Sequence, residues 1–445
     1  MPKRQRQGLK EQRIQPPESY SSVVLTTEND IYNTMHQNYC LSLEPPTHWL
    51  NDIPTFSKDQ LSLQALLNQN DDSPQELVTI ELEPSVETLL SHLNEIKAKL
   101  EPYAEIISDL KQSRSMRTTP QNEFRRASRN KSVNPFESLS LDFDGMPLIS
   151  RSALKLCNID ALLGFNLCCR RSDSHSQSIF VDLCGAPGGF SQYMIFRGMK
   201  KGYGMSLTGQ SNDSVGLGWE VDILDKQRFQ VHSGKDGTGD LYQWDNVISL
   251  QQKMETDTGS GKAALVVADG GLDAQRNSDD QEGIAYDLII CEMASSLLLL
   301  GSGGHFVIKM FGFRNKKTRD AMLFLASVFE CIKVIKPIAS RPASTERYVV
   351  GFNFQGLAED FDPCQWRDGM LSENCTQKLD KSVCFEQFLD RVDHDIASLN
   401  IRACSSIIEC FRLEELKVLH RKRKTHDPNF QDEVNVDHIR KTWNL

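Results

Sequence analysis

From residue 146 onward, short unbroken apolar runs alternate with longer stretches in which apolar residues return every third or fourth position. The first kind reads as buried strand, the second as a helix packed on one side. Strands are predicted at 179–184, 202–207, 263–268, 305–311, 331–338 and 346–354, and helices at 190–198, 241–254, 280–300 and 317–330. Such alternation builds a mostly parallel sheet covered on both faces. Only ASRPAST separates the last two strands, too few residues for a crossover helix, so they should form an antiparallel hairpin at the sheet edge. The predicted fold is α/β, a doubly wound Rossmann-like sheet ending in a hairpin, with its core over 146–355.

The flanks follow other patterns. Residues 1–75 are polar, carry prolines at 16, 17, 45, 46, 54 and 74, and show no sustained period, which predicts a flexible region. Within 76–145, Leu89, Leu90, Leu93, Ile96 and Leu100 follow helical spacing, Pro102 breaks the run, and Ile106, Ile107 and Leu110 resume it, predicting two helices. A basic segment follows, with Arg125, Arg126, Arg129 and Lys131 between Phe124 and Phe136. Cations bracketed by rings suit RNA, whose phosphates they meet and whose bases the rings stack on; a solvated linker is the competing reading. Residues 208–239, rich in Gly, Ser and Asp, predict an irregular loop, and 356–445 a helical extension with runs at 385–399 and 404–420 and a final HIRKTWNL. Arg421–Lys424, RKRK, reads as a nuclear address, a phosphate contact or a solvated helix end.

Composition narrows the classes. The chain has 445 residues, enough for a sizeable core, and a formal net charge of −10, which argues against a basic coat for nucleic acid and leaves local patches to decide. Its 12 cysteines include no CxxC pair and no Cys/His ligand spacing, which predicts reduced thiols in an intracellular protein without structural zinc. The longest apolar stretch, ending at Leu297–Leu300, contains Asp287 and Glu292 and is too short for a bilayer, so it is expected to be a core helix.

The chemistry centres on Ser178–Phe190, SIFVDLCGAPGGF. Ile179, Phe180, Val181 and Leu183 form a strand around Asp182, and Cys184, Gly185, Ala186, Pro187, Gly188 and Gly189 turn it into the helix opened by Phe190. Glycines let a ligand approach the backbone, and the free N–H groups of a helix start add positive potential, so a nucleotide-like cofactor fits over the turn. Neither GxGxxG nor GxxxxGK[ST] is present, which disfavours NAD and ATP. The spacing is instead similar to that of S-adenosylmethionine (SAM) sites, against the alternative of a turn with no ligand.

In an open α/β sheet ligands gather at the carboxyl ends of the strands. Asp269 ends the strand ALVVAD; Lys309 lies near the end of HFVIKMF, where a lysine among apolar residues is costly unless paired; Glu346 begins the antiparallel strand ERYVV; Lys155 lies on a helix before the first strand. VDLCGAPGGF, VVADGG, HFVIKMF and ASRPASTERYVV, in that order, resemble the FtsJ family of RNA ribose 2'-O-methyltransferases, over roughly residues 80–445. The family's lysine, aspartate, lysine, glutamate tetrad maps to Lys155, Asp269, Lys309 and Glu346. The resemblance also implies SAM as cofactor, held by Ser150, Asp182, Cys184, Gly185, Ala186, Pro187, Gly188, Gly189, Phe190, Asp240 and Leu241. Two departures are a glycine loop that usually reads CAGPGGF, and Ser150 where relatives carry asparagine.

Within the family the likeness is greatest to enzymes of the eukaryotic mRNA cap, which implies methylation of the first transcribed nucleotide, capped mRNA as partner, transcription machinery as a further one, and the nucleus as location. The second cap-proximal nucleotide, ribosomal RNA and transfer RNA stand as alternative substrates, and a catalytically silent RNA-binding adaptor as the alternative of another class. Lys309 is the candidate to orient and deprotonate the ribose hydroxyl. Its free pKa of about 10.4 would have to fall, with Lys155 supplying a neighbouring cation while Asp269 and Glu346 oppose the shift. Arg125, Arg126, Arg129, Lys131 and, from the hairpin loop, Arg341 are the candidate RNA contacts, and no metal is expected.

Overall fold

The computed structural model describes residues 55–57, 85–98, 142–143, 145–168, 178–208, 218–220, 222, 224–271, 280–337, 339–341, 343–372 and 383–420. The described strands are β1 (Thr55–Ser57), β2 (Asp142–Phe143), β3 (Met146–Pro147), β4 (Ile179–Leu183), β5 (Lys201–Met205), β6 (Phe229–Val231), β7 (Ala263–Ala268), β8 (Leu300–Met310), β9 (Phe329–Ile335) and β10 (Arg347–Phe354). The helices are α1 (Val86–Ala98), α2 (Ser152–Leu162), α3 (Gly189–Phe196), α4 (Trp244–Thr258), α5 (Gln281–Leu299), α6 (Lys316–Val328), α7 (Pro363–Leu371) and α8 (Val383–His420).

Eight of the described strands form the main sheet in the order β1-β9-β10-β8-β7-β4-β5-β6. From β6 to β8 neighbours are parallel, while β10 runs antiparallel to both β8 and β9. Alternate residues along each strand face opposite layers, as the two-residue period requires. Val181, Leu183, Val266, Ala268 and Ile308 join a core with α4, α5, α6, α7 and the start of α8. Phe180, Leu265, Val267, Val307 and Val350 join a second core with α2 and α3. A smaller cluster of Leu93, Ile96 and Cys404 seats α1 against α8.

Four details differ from the sequence expectations. The hairpin of β9 and β10 forms, but β1, three residues from within 1–75, pairs with β9 and takes the edge. A short strand, β6, lies inside the expected irregular loop; three residues are too few to show a period. β8 begins at Leu300 rather than 305, because Gly301, Gly303 and Gly304 give its first half no apolar signal. The two predicted C-terminal helical runs are one helix, α8, which contains neither glycine nor proline. The predicted helix after Pro102, the basic segment 125–131, RKRK and the C-terminal HIRKTWNL lie outside the described residues. Among the described residues no helix is long and apolar enough to cross a membrane.

Candidate active site

The glycine turn is braced from below by a carboxylate. Asp182 is fully buried, and its Oδ2 accepts hydrogen bonds from Ser191 N at 3.1 Å and Ser191 Oγ at 2.6 Å, which fastens the end of β4 to the first turn of α3. Its Oδ1 has no hydrogen-bond partner and lies where a Cβ on Gly185 would come within 1.9 Å. Burial pushes the Asp182 carboxyl up to about 7, against the Ser191 hydroxyl, which favours the charged form. Across the sheet, Cys184 N donates to Met205 O at 2.7 Å and Ala186 N to Ser206 Oγ at 3.0 Å, so the turn is tied to the end of β5. Gly188 takes the left-handed conformation, φ 111°, and starts α3 without a side-chain cap, leaving that end to backbone N–H groups.

Ser150 reaches this turn from the segment before α2. A Cβ on Gly189 would lie 2.4 Å from Ser150 Oγ and 2.1 Å from Ser152 Oγ. Asp240 approaches from the β5 side: a Cβ on Gly239 would lie 2.0 Å from Ser206 O, and Asn246 Nδ2 donates to Asp240 O at 3.0 Å. Half-buried, Asp240 accepts from Tyr242 N at 2.9 Å. Two of the expected cofactor contacts have buried side chains. Phe190 is buried in the core, 6.0 Å from the ring of Tyr348, and Leu241 is buried among apolar neighbours, so both support the crevice by packing. A backbone cradle with no room for side chains, an orphaned Asp182 oxygen and a helix N-terminus together fit a nucleoside cofactor of the SAM type.

The tetrad closes at the same sheet end. Lys155 Nζ, on α2, lies 2.8 Å from both Glu346 carboxylate oxygens, just before β10. Lys309 Nζ lies 3.1 Å from Asp269 Oδ1 and donates to Asp269 O at 2.7 Å, joining the ends of β8 and β7. Tyr348 connects the two pairs, since its hydroxyl donates to Asp269 Oδ1 at 2.7 Å and accepts from Lys155 Nζ at 3.4 Å. Burial works to lower the Lys309 pKa, yet the negative charges of Asp269 and Glu346 outweigh it and hold Lys309 above the ordinary lysine value. Glu346 is the mirror case: burial would raise it, but Lys155 and Lys309 hold it far below the carboxylate range. Of the opposing effects on Lys309, the two carboxylates that face it prevail over burial. Among the described residues no group of His, Cys, Asp or Glu is placed to hold a metal.

Sequence reasoning did not single out Tyr348, Glu292 or Lys336 as functional. Glu292, on α5, is fully buried and accepts from Gly270 N at 3.0 Å beneath the Asp269 loop, and burial pushes its carboxyl up to about 8. Lys336 is buried below the hairpin loop and donates to Ser344 O at 2.6 Å and Glu346 O at 2.8 Å. Burial lowers it to about 7, where a neutral amine still has the two N–H groups these carbonyls need. A carboxylate inside an apolar helix and a lysine inside an apolar strand were the available signals. Arg341 is exposed on the hairpin loop beside Ser340, whose Oγ lies 2.7 Å from Glu346 Oε1. The other expected RNA contacts, Arg125, Arg126, Arg129 and Lys131, lie outside the described residues.

Residues 148–354, which contain the turn and the whole tetrad, match the FtsJ-like methyltransferase family. A cap-specific mRNA (nucleoside-2'-O-)-methyltransferase 1 of Trypanosoma brucei brucei is 31% identical over 257 residues, 54% of this chain and 67% of that protein. The chain belongs to the FtsJ-like methyltransferase family. Proteins of the same name from Xenopus laevis and Homo sapiens are 28% identical over 268 residues and 27% over 258. Those matches cover 58% and 55% of this FtsJ-like chain but only 31% and 30% of the vertebrate proteins. A solved structure of human methyltransferase-like protein 13, with TM-score 0.29 and 11% identity over 65% of this chain and 99% of that one, is too loose a likeness to add to the assignment.

Proposed function

We propose that this chain methylates the ribose 2'-hydroxyl of the first transcribed nucleotide of capped mRNA, with SAM as donor, and that it acts in the nucleus. The observation that carries the chemistry is the closed tetrad: two lysine–carboxylate pairs, at 2.8 and 3.1 Å, joined by the Tyr348 hydroxyl at the same end of the sheet as the glycine turn. The choice of capped mRNA is supported by the names of the relatives.

When bound, the cofactor supplies a methyl group on a positively charged sulfur, a carbon already open to attack by oxygen. The protein's share is alignment and proton handling. Lys309, held by two bonds to Asp269, presents its remaining N–H to the ribose oxygen and fixes its line of approach. As an ammonium it also stabilises negative charge growing on that oxygen. To accept the hydroxyl proton it must first release its own, and Asp269 Oδ1 is the neighbour that can receive it. A further positive charge beside Lys309 would favour that release. Lys155 and Glu346 neutralise one another and hold the second wall of the site.

The test is transfer of labelled methyl to capped and uncapped RNAs by wild type and Lys309→Ala, with the modified nucleotide identified after digestion. Label confined to the first nucleotide of capped RNA, and lost in the variant, is expected. Equal label on uncapped RNA would move the substrate elsewhere, and binding of SAM and RNA without transfer would favour an adaptor.

A further inference from the structure

The family match ends at Phe354, yet the tetrad's supports continue into α8. Asp393 of α8 is 4% exposed and uses both carboxylate oxygens on the catalytic strands. Oδ1 accepts from Arg347 Nη1, and Oδ2 accepts from Phe313 N at 3.1 Å. Arg347 directly follows Glu346 and opens β10; Phe313 lies three residues beyond Met310, the end of β8, which carries Lys309. In the sheet Arg347 stands opposite Met310 and Tyr348 opposite Lys309. Arg347 further donates from Nε to Thr345 O at 3.2 Å and from Nη2 to Phe311 O at 3.4 Å, with its guanidinium 5.2 Å from the Phe313 ring centroid. One buried carboxylate thus staples the ends of the two strands that bring Lys309 and Glu346 together.

About two helical turns further on, and so on the same face, Asn400 Nδ2 donates to Ser344 O at 2.9 Å. Ser344 Oγ in turn accepts from Glu346 N at 3.2 Å, and Lys336 shares the Ser344 carbonyl. A buried ion pair is a poor source of net stability because both charges give up water. What the Arg347–Asp393 pair supplies is fixed geometry, and the geometry it fixes is that of the tetrad. The glycine turn lies at β4, separated from β8 by β7 and from β10 by β7 and β8.

We infer that α8 is a working part of the methyl-transfer site, with Asp393 and Asn400 as positioning residues that hold Lys309 and Glu346 in register, an inference that rests on the transfer reading above. Asp393→Asn breaks one of the two staples whichever way the amide turns, because its NH2 cannot accept from Arg347 or Phe313 N. Asn400→Ala removes the bond to Ser344. Both are made in the full chain, alongside the pair Arg347→Met with Asp393→Leu, which removes both charges together and guards against a variant that fails through an unpaired buried arginine.

Each protein is measured for kcat, for KM toward RNA, for SAM affinity by calorimetry, and for amide exchange over 311–314 and 340–348 against 184–190. Expected for Asp393→Asn is a fall in kcat of about 10- to 100-fold, the scale of a small misplacement of reacting groups, with SAM affinity within about threefold of wild type. Exchange should quicken only in the two strand-end segments, and Asn400→Ala should show the same split more weakly. Wild-type kcat in all three variants, or kcat and SAM affinity falling together with faster exchange at 184–190, would overturn the inference. Should wild type itself transfer no methyl, the transfer reading fails while exchange still decides the clamp: unchanged strand-end exchange in the variants refutes it, and a change confined there supports it.

Discussion

The glycine turn draws its parts from one short span, Asp182 to Ser191, with help from Ser150 and Ser206, whereas the tetrad collects its side chains from positions 155, 269, 309 and 346. The turn is crowded: added Cβ atoms at Gly185 and Gly189 would sit about 2 Å from polar side-chain atoms. The tetrad consists of charges that cancel in pairs, each costly to leave alone once buried. One half therefore fails when an atom is added, the other when a partner is removed, and the two failures should separate in the kinetics. Lys309→Ala should reduce transfer by roughly 10²- to 10⁴-fold, the range for a lost proton-handling group, while SAM affinity measured by calorimetry stays within about threefold. Gly185→Ala should do the reverse. Its methyl meets Asp182 Oδ1 at 1.9 Å, and Asp182 cannot swing away without leaving Ser191. A loss of about 1–3 kcal/mol in stability and a SAM affinity about tenfold weaker are expected, read by thermal unfolding and calorimetry. Unchanged affinity in Gly185→Ala would dissolve the distinction.

Tyr348 tests whether the tetrad's two pairs act as one unit. In Tyr348→Phe the ring still packs against Phe190, but Asp269 Oδ1 loses a donor and Lys155 a partner. Net loss of about 1–1.5 kcal/mol in the transition state, roughly tenfold in kcat, is expected with SAM affinity unchanged. A wild-type kcat would mean that the two lysine–carboxylate pairs work independently.

The same contrast explains what could be read from the sequence. The turn was legible because its determinants are local: an apolar strand, a buried aspartate and a glycine cluster occupy adjacent positions. The antiparallel pairing of β9 and β10 was legible because a seven-residue loop admits no crossover. The tetrad was legible as a set only through resemblance, since nothing local says that Lys155 on α2 meets Glu346 across the molecule. Tyr348, two residues from Glu346, looks like any aromatic on a buried strand until its hydroxyl is seen on Asp269. The sign of the Lys309 shift was also hidden, because it depends on whether burial or two carboxylates prevail, a matter of distance. Asp393 and Asn400 gave no signal of their role, being ordinary polar residues on a long helix.

Glu292 permits a smaller test below the tetrad. Burial, reinforced by Asp269, raises its carboxyl from 4.5 to about 8, although Lys309 and the Gly270 N–H favour the charged form. Between those values the folded chain holds a proton that the unfolded chain has lost, so this group makes stability fall as pH rises from 4.5 to about 8, and adds no further slope above. Glu292→Gln keeps an acceptor for Gly270 N and removes the titration. Denaturant unfolding at pH 5 and pH 8 should show the variant gaining on wild type with rising pH, while the other titrating groups cancel in the difference. Parallel curves would show that the carboxyl is ionised throughout.

The smallest effect is expected at Arg341, where the catalytic half meets solvent. It stands on the β9–β10 loop, one residue from Ser340 and its contact with Glu346. An exposed arginine on RNA phosphate acts through charge and counterion release, not through the reacting atoms. Arg341→Ala should thus raise KM for RNA a few-fold and leave kcat alone, and the slope of log KM against log salt should shrink by about one phosphate contact. If kcat falls instead, Arg341 belongs with the tetrad's supports. If neither KM nor the salt slope moves, the RNA path does not cross the hairpin loop, and the phosphate contacts must be sought elsewhere, first in the basic sequence Arg125–Lys131.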